Sequence, residues 1–193
     1  MNAQVTYALI THPSIAMRKL RTAGALGTGI MVMIAGAISF SVSYSMIEAQ
    51  VLGSRGPVVL TAFALLVTLT TFSMWLFTGG LTHAAACLMG GYGNFGRFLA
   101  AYGLTMAPFT LCTPAVLLLT LVGMTGSYLF VLAVLPMIFI WSWILTIIAI
   151  KEIYGLSAGA ATVASLLPYL IIAVMTALTF ATFAVSAAMY VAG

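Results

Sequence analysis

The sequence predicts an all-α protein: a polytopic membrane bundle of five transmembrane helices, with the N-terminus cytoplasmic and the C-terminus outside. Three observations predict it. First, the 193 residues are 64% hydrophobic and 4% charged, with a mean hydropathy of +1.24. A soluble domain carries roughly a quarter charged residues, so this chain cannot cover a water-facing surface and lipid is its main solvent. Second, five apolar runs each come near the roughly 20 residues that cross the hydrocarbon. Third, the few basic residues fall on alternate joints. With the N-terminus inside, Arg18, Lys19, Arg21, Arg97 and Lys151 are cytoplasmic and Arg55 alone is outside, which is the positive-inside pattern.

The whole chain, 1–193, reads as one transmembrane domain with an N-terminal interfacial segment over 1–22. Pro13 after Thr11-His12 suits a helix start. On that helix Ser14, Arg18 and Arg21 share one face and Ala16 and Leu20 the other, so the segment is expected at the membrane surface. A plain basic flank that orients the first span explains the same residues. Span one covers about 23–44 and is rich in glycine (Gly24, Gly27, Gly29, Gly36), so it should pack closely inside the bundle. It is too long for the core of a cleaved signal peptide and is expected to stay in the protein as an anchor. Span two covers about 58–81, span three 98–122, span four 128–150 and span five 163–189. Prolines at 108, 114, 136 and 168 fall inside spans three to five, where they free backbone carbonyls. Ala173, Ala177, Ala181 and Ala184 give span five a small-residue face. Tyr44, Tyr128 and Tyr190 are expected near the outer interface, and Tyr92 and Tyr154 near the inner one.

Composition excludes several functions. Aspartate is absent, Glu48 and Glu152 are the only acids, and the net charge of +4 comes from scattered residues. A nucleic-acid footprint needs clustered Lys and Arg on a polar surface, so no nucleic-acid partner is expected. Cys87 and Cys112 form no CxxC and read as small packing residues. No catalytic pair, metal-ligand set or cofactor is expected.

The chain's scarce polar chemistry gathers in and around His83–Pro108, HAAACLMGGYGNFGRFLAAYGLTMAP. His83 ends span two with Gly79 and Gly80 a turn before it, so it should face another helix; an ionisable residue at that depth is a functional candidate. A plain interfacial histidine bonded to a carbonyl is the other reading. Gly91-x-Gly93-x-x-Gly96 has the letters of a dinucleotide fingerprint but lacks the strand and βαβ unit that motif requires. What remains is a flexible turn of Gly90, Gly91, Gly93 and Gly96, then a helix start at Asn94 and Arg97 whose free N–H groups attract anions such as lipid phosphates. Arg97, Ala101, Thr105, Pro108 and Cys112 form a small, mildly polar stripe that should pack inward. Lys151, Glu152 and Tyr154 end span four on the same side, where a contact from Glu152 to Arg97 or His83 would neutralise a charge. Lipid or ligand binding is therefore expected at His83, Asn94, Arg97, Lys151, Glu152 and Tyr154, with Gly90, Gly91, Gly93, Gly96 and Pro108 as turn and packing residues.

These stretches, together with HPSIAMRKL before span one and KEIYGLSAGAA followed by Pro168, resemble the Yip (Ypt-interacting protein) domain family, in the short form of its prokaryotic members. Tyr92 stands where the family often has lysine, and Tyr154 where it often has histidine. The resemblance implies a five-span bundle with a cytoplasmic N-terminus. Eukaryotic relatives act in vesicle traffic and bind Rab GTPases through soluble N-terminal regions, an activity not expected with so little sequence before span one. The function expected here is non-enzymatic: an inner-membrane multi-pass protein that binds lipids, membrane-protein partners or a second copy of itself. The alternative is a small transporter, channel or lipid-translocating protein that uses the polar cluster.

Overall fold

A computed structural model describes residues 12–19, 25–52, 56–121 and 129–192. Leu20, Arg21, Gly24, Arg55, the 123–127 turn and Tyr128 lie outside the described residues, as do the side chains of Arg18, Lys19, Ala184 and Tyr190. The fold is all-helical, with no strand among the described residues. In order, the helices are α1 (Pro13–Lys19), α2 (Ala25–Leu52), α3 (Pro57–Leu88), α4 (Phe95–Leu104), α5 (Cys112–Leu121), α6 (Leu135–Tyr154) and α7 (Ala158–Ala192). A 3₁₀ turn, Ala107–Leu111, joins α4 to α5, and a π-helical turn, Phe130–Val134, leads into α6. Five segments are long and apolar enough to cross a membrane: Leu26–Ala49, Val58–Leu88, Phe95–Leu121, Phe130–Tyr154 and Ala158–Phe183.

Each expected span is present, but most helices run past the expected ends. Span two was expected to stop near 81, yet α3 continues to Leu88. Span five was expected from 163, yet α7 starts at Ala158. Hydrophobicity marks the hydrocarbon, whereas caps mark helix ends, and the two differ by a turn or more. Gly155 shows this: it takes the left-handed conformation (φ 70°) and its N–H meets the Lys151 carbonyl at 3.0 Å, an αL cap that stops α6. The Ser157 hydroxyl then accepts the Ala160 N–H at 3.3 Å and starts α7.

Span one is the most buried of the five, as its glycines lead one to expect. A Cβ at Gly29 would overlap the Ala100 backbone, and one at Gly103 would lie inside the Gly29 backbone. These two glycines let α2 and α4 approach without side chains between them. Gly36 does the same against the Met106 carbonyl, which a Cβ would meet at 2.7 Å.

Span three is broken. Pro108 has no N–H to give Leu104, and the chain tightens into the 3₁₀ turn, with the Met106 N–H on Gly103 at 3.2 Å and the Phe109 N–H on Met106 at 3.0 Å. In lipid, freed carbonyls need partners. The Thr105 hydroxyl donates to the Tyr102 carbonyl at 2.8 Å. The Ser142 hydroxyl, from span four, donates to the Thr105 carbonyl at 2.7 Å. On the span-one side, the Thr113 N–H donates to Ser39 Oγ at 3.1 Å and the Thr113 hydroxyl to the Ser39 carbonyl at 2.9 Å. The expected inward stripe is real below Arg97: Ala101, Thr105, Pro108 and Cys112 are buried, while Arg97 itself is exposed.

The N-terminal helix α1 does more than lie on lipid. Ala16 and Met17 are buried in a cluster with Val32, Ala101, Leu104 and Ala149, so α1 packs against α2, α4 and α6. Of the small face expected on span five, Ala173, Ala177 and Ala181 are exposed among the described residues.

Candidate functional site

The glycine turn between α3 and α4 is built by capping at both ends. Gly90 takes φ 85°, a conformation that glycine enters without steric cost. Its N–H donates to the Cys87 carbonyl at 3.0 Å and the Gly91 N–H to the Ala86 carbonyl at 2.9 Å, the paired bonds of a Schellman motif. Asn94 then caps α4: its side-chain oxygen accepts the Arg97 N–H at 3.2 Å. The free N–H groups expected to attract an anion are therefore partly used by the protein itself.

Gly91 and Gly93 have a different purpose. A Cβ at Gly91 would lie 2.8 Å from Tyr154 Cβ, and one at Gly93 would overlap the Tyr154 ring. The turn is moulded onto this tyrosine, and the Tyr92 N–H donates to the Tyr154 carbonyl at 3.3 Å. Gly96 meets only Asn94 Oδ1, at 3.3 Å. Tyr154 is thus not an interfacial belt residue. It is buried at 3% exposure, because the missing glycine side chains leave room for its ring. Tyr92 is exposed, at 95%.

His83 Nδ1 and the Tyr154 hydroxyl are hydrogen-bonded at 2.5 Å. Phe95 also packs on His83, with ring centroids 5.0 Å apart. From Tyr154 an aromatic column runs down into the bundle. Phe98 meets it edge-on at 5.4 Å, Tyr102 stacks on Phe98 at 5.4 Å, and Trp75 stacks on Tyr102 at 6.2 Å. The Tyr102 hydroxyl is 3.0 Å from the Thr78 hydroxyl.

The expected site residues therefore separate into two groups. His83, Tyr154, Gly91 and Gly93 form one packed unit. Arg97, Lys151 and Asn94 are exposed around it, at the same end of the bundle. Glu152 is half-buried on α6 and has a partner. Pro108 lies well below the turn, where it breaks span three. Among the described residues no group of three or more His, Cys, Asp or Glu comes together. Cys87 is exposed, with its Sγ 3.9 Å from His83 Nδ1, and Cys112 is buried.

Sequence reasoning missed Phe98, Tyr102 and Trp75. Aromatic residues in a greasy chain carry no distinguishing pattern, and only the glycine spacing at 91 and 93 hinted that a large side chain lay opposite. Below the turn, a cavity of about 250 Å³ opens between the spans beside Trp75 and Tyr102.

No curated protein and no solved structure matches the chain. The Yip1 domain family matches it over residues 7–190. That match takes in all five apolar segments and the turn they carry, and the chain belongs to the Yip1 domain family.

Proposed function

We propose that this membrane protein is a non-enzymatic organiser of its membrane, which holds anionic lipid head groups or a membrane-protein partner at the end of the bundle formed by the glycine turn. The observation that carries this reading is a rigidly backed, exposed surface. Tyr92 stands out from a turn fixed on Tyr154, with exposed Arg97 and Lys151 at the same end. Basic residues beside an anionic bilayer surface contribute about 1 kcal/mol each, and an interfacial tyrosine adds an amphipathic anchor. This end faces the cytoplasm of an inner-membrane protein. A common cytoplasmic side for Arg18, Lys19, Arg97 and Lys151 accords with the positive-inside rule, and α1, which carries the first two, packs against α2, α4 and α6.

The transporter alternative draws less support. A path for a charged solute needs polar or charged walls. The cavity between the spans is walled chiefly by aromatic and aliphatic side chains and carries no Lys, Arg, His, Asp or Glu.

The test is native mass spectrometry of the full chain after gentle extraction, together with photo-crosslinking from position 92. The expected result is retained anionic phospholipid or a crosslinked partner, reduced several-fold by combined Arg97→Ala and Lys151→Ala. Absence of both, or retention that the double substitution leaves unchanged, would overturn the proposal.

A further inference from the structure

Cys87 stands beside His83 at the end of span two, and the head-group surface makes no use of it. The two residues lie one helical turn apart on α3 and share a face, with Cys87 Sγ 3.9 Å from both Nδ1 and Nε2 of the imidazole. The imidazole is held in its turn. The Tyr154 hydroxyl is hydrogen-bonded to Nδ1, and the Phe95 ring packs against it. Tyr154 is fixed by the space that Gly91 and Gly93 leave. From the surface inward the order is thiol, imidazole, hydroxyl: Cys87 is exposed, His83 half-buried and Tyr154 buried. A nucleophile beside a base that a third group orients is the arrangement of an activated thiol. The 3.9 Å separation exceeds a working bond between nucleophile and base, but such contacts are often long before substrate is present and tighten with it.

The place of the thiol selects its reaction partner. Cys87 is next to the last residue of the apolar segment Val58–Leu88, so it stands where hydrocarbon gives way to head groups. Ala84 and Leu88, its neighbours on α3, are exposed and apolar. A long-chain acyl thioester in a bilayer puts its carbonyl at that boundary and its chain in the hydrocarbon, and cysteines at the edge of a span are where acyl groups are carried. A closed metal site takes about four donors; among the described residues no third His, Cys, Asp or Glu joins His83 and Cys87.

We propose that Cys87 is an acylation site that takes a long-chain acyl group from an acyl thioester, with His83 as general base and Tyr154 as its positioning residue. His83 carries its proton on Nδ1 and donates it to the Tyr154 hydroxyl oxygen, which leaves Nε2 as the acceptor. Nε2 takes the Cys87 thiol proton as the sulfur attacks the acyl carbonyl. The new carbon–sulfur bond forms, the donor's carbon–sulfur bond breaks, and the proton passes from Nε2 to the departing thiolate. Nothing is oxidised or reduced, and each chain takes one acyl group.

The test places the full chain in phosphatidylcholine nanodiscs with palmitoyl-coenzyme A, and follows the adduct by intact-protein mass spectrometry and its release by neutral hydroxylamine. The expected result is one hydroxylamine-labile palmitoyl group per chain, absent in Cys87→Ser and retained in Cys112→Ala, and formed several-fold faster than the adduct from acetyl-coenzyme A. His83→Ala should slow it by about a hundredfold, the lower end of a general base's contribution, and free imidazole should restore much of the rate. Tyr154→Phe should slow it several-fold in the parent and not at all in His83→Ala; a merely structural tyrosine would slow both alike. Each variant's fold is checked by its unfolding temperature. No adduct on Cys87, an equal rate with the acetyl donor, a folded His83→Ala protein that reacts as fast as the parent, or one that imidazole leaves slow would overturn the proposal. Equal effects of Tyr154→Phe in the two backgrounds would overturn the tyrosine's role. The adduct is read on Cys87 whether or not head groups are held at Arg97 and Lys151, so the two proposals fail separately.

Discussion

Tyr154 organises one end of this protein through three different parts of itself. Its ring fills the space that Gly91 and Gly93 leave, its carbonyl accepts the Tyr92 N–H, and its hydroxyl meets His83. Gly93→Ala should therefore force a methyl group into that ring and cost about 1–3 kcal/mol, the usual penalty for overpacking. Tyr154→Phe keeps the ring and loses one hydrogen bond, for about 1 kcal/mol. Thermal unfolding in detergent checks both; a Gly93→Ala protein as stable as the parent would mean that the turn does not rest on the ring. The sequence exposed the glycines but not their partner. A tyrosine at the end of an apolar run looks the same whether it faces lipid head groups or a turn from another helix. His83 was legible because an ionisable residue is rare in such a chain.

At the scale of elements, span three is where the fold departs from simple helices. Its break at Pro108 leaves carbonyls that Thr105 and Ser142 satisfy from within and from span four. Ser142→Ala should leave the Thr105 carbonyl without that donor and lower stability by about 1 kcal/mol, in the upper part of the range seen for hydrogen bonds between membrane helices. Gly103→Ala should be more damaging than Gly93→Ala, because the added carbon meets the Gly29 backbone, which has no side-chain torsion with which to move aside. Comparing the three variants' unfolding temperatures ranks these effects; a Gly103→Ala protein less perturbed than Ser142→Ala would contradict the close crossing of spans one and three. All five spans were legible, because an apolar run near 20 residues has few other uses. Their ends were less so. Helices end where Gly90, Asn94, Gly155 and Ser157 supply caps, and those residues lie beyond the hydrophobic windows. That Pro108 would interrupt its span was legible in its chemistry; which hydroxyls would answer the freed carbonyls was not, since this depends on the rotation of span four.

For the whole molecule, the aromatic column ties the turn to the interior: one series of ring contacts runs from His83 through Tyr154, Phe98 and Tyr102 to Trp75. The account depends centrally on two joints, two-to-three and four-to-five, forming a single face on the cytoplasmic side together with α1. Impermeant maleimide labelling of Tyr92→Cys, Lys151→Cys and Ser14→Cys, each in a Cys87→Ser, Cys112→Ala background, measures this most directly. The account predicts that all three are labelled in inverted membrane vesicles and none from outside intact cells; labelling of any one of them from the outer side, or of the first two from opposite sides, would contradict it.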